Sequence, residues 1–311
     1  MKKTIRIATR KSLLALTQST WIKEQIEARN PGVSVELVKI VTKGDKITDV
    51  PLAKVGGKGL FVKEIEEAML RGEADLAVHS MKDVPAELPD GLFLGVVPQR
   101  ENPRDAFVCH TCSRVRELPQ KARVGTSSLR RRAQLAHLRP DLEIVDLRGN
   151  VETRLRKLDE GEFDAVILAT AGLNRLGLSA RITSHLAPEE MLPAVAQGAL
   201  GLELRRNDPE VYGLISFLHH EETAVAVEAE RAFLKRLEGG CQVPLGAYAE
   251  LRGGKLTVTG LIAAVDGSEL LRRSFTGPPK EAASLGVQLA EALLAMGGQR
   301  ILAEVYGRPL A

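Results

Sequence analysis

The sequence predicts an α/β protein with a further small α/β domain at its tail. Three observations predict it. Strand-like and helix-like segments alternate from the first residues to residue 169, the grammar of packed α/β layers. Residues 221–311 then run through helix, two strands and helix on their own. The chain's 311 residues, 44% of them hydrophobic, can bury two or three cores without disulfides or structural metals.

The elements follow in order. Ile5, Ile7 and Thr9 alternate with charged or small neighbours and Ser12 precedes the helical residues 13–28, so a short strand enters a helix through a sharp loop. Residues 33–41 are a β-branched strand candidate. Residues 54–59 hold three glycines and two lysines, a loop before residues 60–71. Residues 73–80 give a short buried strand that ends in MKDVP, where strand and loop chemistry meet. The alternation returns at 123–126, 128–138, 142–146, 151–159 and 163–169, as strand, helix, strand, helix, strand. LRGEADLAVHS and LDEGEFDAVIL both read as helix exit plus strand, either two versions of one domain or convergent α/β grammar. Residues 91–103 and 194–203 read as connectors. In the tail, 223–237 and 282–296 read as helices, with strands at 245–251 and 256–265 between them.

Forty-three basic and 40 acidic side chains leave a formal charge of +3, too small to imply nucleic acid or an anionic membrane as partner. Aromatic residues make up 4%, which argues against base stacking, and no RRM, KH or zinc-finger pattern occurs. Cys109, Cys112 and Cys241 cannot all pair internally, and three cysteines favour a reducing compartment over a disulfide scaffold. No apolar signal core follows the basic first residues, and no later stretch has about eighteen uninterrupted apolar residues. The expectation is a cytoplasmic chain outside the membrane.

Local charge is more informative. Residues 123–157 carry nine Lys or Arg and four Asp or Glu, a balance of +5, so an acidic ligand is expected there. Arg130, Arg131 and Arg132 follow Thr126 and Ser128 at a strand-to-helix junction, where backbone donors and guanidiniums suit carboxylate or phosphate, or where they simply form a solvated helix face. Arg148 follows another strand, with Arg154 in the next helix and Arg175 after the strand beyond. Arg10 and Ser12 repeat the strand-end arrangement near the N-terminus, as ligand contacts or as cap and surface charge. Lys82 and Asp83 close the 73–80 strand, where a carboxylate can orient an N–H donor and exchange protons, or serve a turn. Lys54 and Lys58 could cover an acidic ligand, but KVGGKG is not a nucleotide phosphate loop. Cys241 in GGCQVP can be a nucleophile, a covalent tether or a buried structural cysteine. Cys109-His110-Thr111-Cys112 has metal-like or redox-like spacing but half of a four-ligand set, so packing is the simpler role. His79, in an apolar strand, reads as a hydrogen-bonded structural residue; no metal site is expected.

Taken together, IRIATRKS, GGKGLFVKEIE, DLAVHSMKDVP, VGTSSLRRRAQL, DLRGNVETRL, ATAGLNRLG and GGCQVPLG, in this order over most of the chain, closely resemble the porphobilinogen deaminase (hydroxymethylbilane synthase) family. The resemblance implies two periplasmic-binding-protein-like domains, 1–98 with 199–216 and 104–192, and a third small α/β domain, 221–311. It implies a transferase of tetrapyrrole and heme biosynthesis that condenses four porphobilinogen molecules head to tail into hydroxymethylbilane and releases four ammonia molecules. One dipyrromethane per chain would be bound covalently through a thioether to Cys241, an attachment point rather than a turnover nucleophile. Asp83 would be catalytic, bonding pyrrole nitrogens and stabilising positive character as ammonia departs. Arg10, Ser12, Lys82, Thr126, Ser128, Arg130, Arg131, Arg148, Arg154 and Arg175 would contact substrate or cofactor, with Lys54 and Lys58 contributing and Arg132 beside them. Porphobilinogen and the growing pyrrole chain are the implied partners, uroporphyrinogen-III synthase is admitted downstream, and a monomer without nucleic acid, membrane or metal is favoured.

Overall fold

The computed structural model describes residues 2–46, 59–240 and 243–308. Two compact units emerge among the described residues: the first takes in those up to Glu101 and again Ala199–Ala224, the second Asn102–Gly198 and those from Val225 on.

In chain order the first unit forms β1 (Thr4–Arg10), α1 (Leu13–Arg29), β2 (Ser34–Ile40), the single turn α2 (Lys43–Lys46), α3 (Lys63–Leu70), β3 (Leu76–Ser80), a 3₁₀ turn at Met81–Asp83 and β4 (Leu92–Val96). The second unit follows with β5 (Asp105–Cys109), β6 (Arg123–Gly125), α4 (Leu129–Leu138), β7 (Glu143–Val145), α5 (Val151–Asp159), β8 (Ala165–Ala169), α6 (Thr170–Arg175) and β9 (Ser184–Leu186). The chain then returns to the first unit as β10 (Leu200–Arg205) and α7 (Pro209–Ile215). Beyond these come α8 (Glu221–Arg236), β11 (Leu245–Arg252), β12 (Lys255–Ala263), β13 (Leu270–Gly277), α9 (Ala282–Leu293) and α10 (Gln299–Tyr306).

The first sheet has the order β2-β1-β3-β10-β4, with β1 parallel to β2 and β3, and β10 antiparallel to β3 and β4. The second has the order β7-β6-β8-β5-β9, with β6 parallel to β7 and β8, and β5 antiparallel to β8 and β9. Both sheets thus share one plan: three parallel strands, a fourth that runs against them and a fifth antiparallel to the fourth. LRGEADLAVHS and LDEGEFDAVIL occupy equivalent places in it, each leading into the third parallel strand. Their alternating leucine and alanine positions pack both faces of the sheets. In the first unit Ile5, Ile7, Leu76, Val78, Leu202 and Leu204 meet Ile22 and Ile26 of α1 on one face. Ala8 and Ala77 meet Ile65 and Met69 of α3 on the other.

Two expected connectors are strands. Residues 91–103 contain β4, and residues 194–203 run into β10, which sits between β3 and β4. Pairing on both sides explains the difference: LGLELR puts three leucines on the α1 face and only Glu203 and small or terminal residues on the other. In the tail, β13 completes an antiparallel sheet of order β11-β12-β13, and the expected last helix is two, kinked at Gly297 with φ 111°. This third, small antiparallel sheet is covered by α9, whose Gly286 lets the helix approach the Ala229 carbonyl of α8.

Candidate active site

Open α/β sheets bind ligands outside the carboxyl ends of their parallel strands. In the first unit β1 and β3 are parallel neighbours, so Arg10, Ser12, Lys82 and Asp83 share one sheet edge. Ser12 caps α1, its hydroxyl accepting the Ala15 N–H at 3.3 Å. Arg10 donates from Nε and Nη2 to Asp45 Oδ1, at 3.1 and 2.5 Å, and its guanidinium stacks 4.3 Å from the Phe61 ring centroid. Burial alone would raise the Asp45 carboxyl, but Arg10 and then Thr42 outweigh it and hold it below its ordinary value. Lys82 and Asp83 occupy the half-buried 3₁₀ turn that leaves β3. Just before them the Ser80 hydroxyl sits 3.0 Å from Gln18 Nε2, tying the strand end to α1. Lys54 and Lys58 lie outside the described residues.

In the second unit β7, β6 and β8 present Arg148, residues 126–131 and Arg175 at the corresponding edge. Thr126 is buried, its N–H bound to the Val145 carbonyl and its hydroxyl accepting the Ser128 N–H at 3.2 Å. Ser128 is the N-cap of α4. Arg148 and Arg154 are half-buried, with Arg154 Nε donating to the Gly149 carbonyl at 2.8 Å. Arg175 donates to the Gly198 carbonyl at 2.7 Å. Arg132 turns to Asp146, at 3.0 Å.

Arg130 and Arg131 differ from the other basic residues. They are 3% and 5% exposed, and both guanidiniums converge on Asp105, which is fully buried at the start of β5. Arg131 also donates to the Ile167 carbonyl and Arg130 to that of Leu192, while Gln197 Nε2 reaches Asp105 Oδ1 at 3.0 Å. Burial would raise the Asp105 carboxyl, yet the two guanidiniums hold it well below the usual carboxylate range. Arg130 Nε remains buried without a partner among the described residues. Sequence reasoning missed Asp105, Gln197 and Asp45. The available signal was an acidic residue opening the apolar run DAFVC in a region of net positive charge.

Cys241 lies outside the described residues, but the strand after it does not. Ala247 of β11 donates its N–H to the Pro193 carbonyl at 3.1 Å. A Cβ on Gly246 would fall 3.4 Å from Arg130 Cδ and 3.0 Å from the Pro193 carbonyl oxygen, so glycine permits this close approach. The chain five residues beyond Cys241 is therefore packed beside α4 and its arginines. Elsewhere, the Cys112 N–H donates to Cys109 Sγ at 3.3 Å, and both thiols are free. His79 bonds Glu203, as a hydrogen-bonded structural histidine should. Among the described residues no group of three or more His, Cys, Asp or Glu could hold a metal.

Guanidiniums and a helix N-terminus, as in the second unit, suit carboxylates, and a carboxylate, as in the first, suits N–H groups. The sequence profile described as "Porphobilinogen deaminase, dipyromethane cofactor binding domain" matches residues 5–213, and that of the "Porphobilinogen deaminase, C-terminal domain" matches 224–295. The chain belongs to the porphobilinogen deaminase family. It is similar to the porphobilinogen deaminase of Pelobacter propionicus, 58% identical over 306 residues, covering 98% of each chain. That of Geobacter sulfurreducens is 59% identical over 307 residues, 99% of this chain and 96% of the other. A periplasmic substrate-binding protein from Coxiella burnetii aligns at 15% identity with a TM-score of 0.45, over 73% of this chain and 96% of the other. The activity of this family member is porphobilinogen deaminase, EC 2.5.1.61, which forms hydroxymethylbilane in tetrapyrrole biosynthesis with a dipyrromethane cofactor. No described helix is long and apolar enough to cross a membrane.

Proposed function

We propose that Asp83 is the catalytic carboxylate and that Cys241 carries one dipyrromethane per chain through a thioether. The observation that supports the reading is made in each unit by itself: the parallel strands of the first end at a half-buried carboxylate at the exit of β3, and those of the second, β6, β7 and β8, end at a cationic edge. When bound, the cofactor supplies a pyrrole with a free α carbon that primes chain growth. Asp83 accepts pyrrole N–H groups and stabilises the positive character that develops as ammonia departs. Arg148, Arg154 and Arg175, with Thr126 and Ser128, hold acetate and propionate groups. Arg10, Ser12 and Lys82 do so in the first unit, joined by Lys54 and Lys58. Arg130 and Arg131 anchor this edge through Asp105 and support its positive charge from beneath. The packing of β11 against Arg130 supports a Cys241 loop that serves the same edge.

The domain division follows the same reading: 1–98 with 199–216, then 104–192, then 221–311. Chain crossings at Glu101 and Gly198, and a profile boundary between 213 and 224, support it. Porphobilinogen and its growing oligomer are the partners of a cytoplasmic monomer that binds neither nucleic acid nor membrane. Intact-mass analysis with peptide mapping tests the tether: two linked pyrroles are expected on Cys241. An enzymatically competent preparation with an unmodified Cys241 would sink it.

A further inference from the structure

Three groups outside this chemistry lie together inside the first unit. Glu66 comes from α3, His79 from β3 and Glu203 from β10, and they are 6%, 5% and 0% exposed. His79 Nε2 lies 2.8 Å from Glu203 Oε2. Glu203 Oε1 and Glu66 Oε1 are buried with no hydrogen-bond partner among the described residues. Two ionised carboxylates here would leave buried charge without enough donors, a costly arrangement. Burial pushes Glu66 up to about 7, the charge of Glu203 adds to the rise and His79 opposes it.

The position of the trio gives it reach. In the antiparallel β3–β10 pair, Gly201 stands opposite His79, and the Met81 N–H donates to the Ala199 carbonyl at 3.0 Å. A Cβ on Gly201 would fall 2.8 Å from Met81 Cε, so Met81 fills the space this glycine leaves. β3 passes from His79 through Ser80 straight into the Met81–Asp83 turn. A shift of β10 against β3 is therefore transmitted to Asp83 through backbone and packing.

We propose that Glu66, His79 and Glu203 form a buried positioning cluster that fixes the β3–β10 seam, and with it Asp83, in the geometry condensation requires. The proposal rests on the reading of Asp83 as the catalytic carboxylate. With Glu66 in its acid form, the seam holds one carboxylate beside His79. Ionisation of Glu66 buries a second negative charge near Glu203 and strains the seam. Most other charged groups on this side have partners of their own, although Glu64 Oε2 on α3 is buried without one among the described residues. On β1, Arg6 is bound by Asp75 and Arg10 by Asp45. On β10, Arg205 binds the Met69 and Ala74 carbonyls and Asp208. On α3, Glu64 accepts the Lys43 N–H, and Glu67 adds to the rise of Glu66. β4 (LFLGV) contributes no charged side chain.

The test uses the dipyrromethane-loaded full chain. Carbon-13 NMR follows the Glu66 carboxyl, assigned by its loss in E66Q, beside the pH profile of kcat/KM for porphobilinogen. Glu203→Gln is expected to move the Glu66 midpoint down and His79→Gln to move it up. The alkaline limb of kcat/KM should move with the midpoint in each variant and vanish in E66Q. At neutral pH both E203Q and H79Q should lose about 10-fold or more in kcat, with a smaller change in KM. An alkaline limb unmoved in E66Q, or midpoints that shift the same way in E203Q and H79Q, overturns the proposal. Should E203Q or H79Q not fold, thermal unfolding of wild type and E66Q decides. Folded Glu66 keeps a proton that the unfolded chain releases near 4.5, so wild-type stability falls as pH rises toward about 7. E66Q lacks that loss, and its Tm advantage should grow over this window; a constant difference overturns the proposal. Asp83→Asn separates the two readings: turnover should fall sharply at every pH with the Glu66 midpoint in place, whereas near-unchanged turnover refutes the Asp83 reading alone.

Discussion

Arg130 Nη1 and Asp105 Oδ2 meet at 2.6 Å where neither side chain has meaningful access to solvent. Arg131 joins from α4 through Nη2, 2.7 Å from Asp105 Oδ1. One carboxylate at the start of β5 thus compensates two guanidiniums at the start of the helix that follows β6. Because β8 lies between β5 and β6, the triad spans the centre of the second sheet. It fixes the N-terminal turn of α4, and through it Ser128 and the backbone donors of the cationic edge.

Replacing Asp105 with Asn keeps the size of the side chain and removes its charge. Two buried guanidiniums then lack their anion, and the expected loss is about 3–5 kcal/mol of stability. The pH dependence has a definite sign. The folded-state carboxyl titrates below the unfolded value of 3.8, so its contribution is complete above that value and is lost as pH falls below it. The gap between wild type and D105N in thermal unfolding should be constant from about pH 5 to 8 and shrink below about pH 4. An unfolding temperature for D105N equal to that of wild type at neutral pH would remove the triad from any anchoring role.

Asp83→Asn tests catalysis with little change in shape. The Asn side chain can still accept a hydrogen bond, but it cannot balance positive charge or exchange a proton. A sharp fall in single-turnover condensation is expected in a folded variant that still carries dipyrromethane. Near-unchanged condensation in that variant would exclude Asp83 from the chemistry, whatever happens to affinity.

The parallel strands are legible in the sequence because apolar residues alternate along β1 and run on in β3 and β8, each next to a segment that reads as a helix. The residues at strand ends are legible for the same reason, since the exits of β1, β3, β6 and β7 carry Arg10, Asp83, Thr126 and Arg148 into loops. β10 is less so: LGLELR alternates leucine with glycine, glutamate and arginine, and only its pairing with β3 and β4 shows that Glu203 is buried. Asp105 is hidden for a related reason. Its partners lie 25 and 26 residues further along, and the strand order β6-β8-β5 brings them together. Buried charge pairs that depend on sheet order have no local signature. The arginines read from local charge as one ligand-facing group are therefore divided by the fold into an anchored pair, Arg130 and Arg131, and a half-buried set around Arg148.

That division makes Arg148 the sharper probe of ligand recognition. It follows β7 and is half-buried, so a guanidinium there can grip an acetate or propionate with two parallel hydrogen bonds. Lysine keeps the charge and loses the fork; alanine loses both. R148K is expected to bind porphobilinogen less productively and to stall elongation, with shorter enzyme-bound oligomers visible by intact mass. R148A should show the same pattern more strongly. The comparison needs equal salt, because charge attraction is screened over about 10 Å at ordinary ionic strength while fork geometry is not. A uniform slowing of all elongation steps in R148A, absent in R148K, would mean that charge alone matters at this position. Wild-type elongation and wild-type intermediate distributions in both variants would remove Arg148 from the carboxylate-binding set.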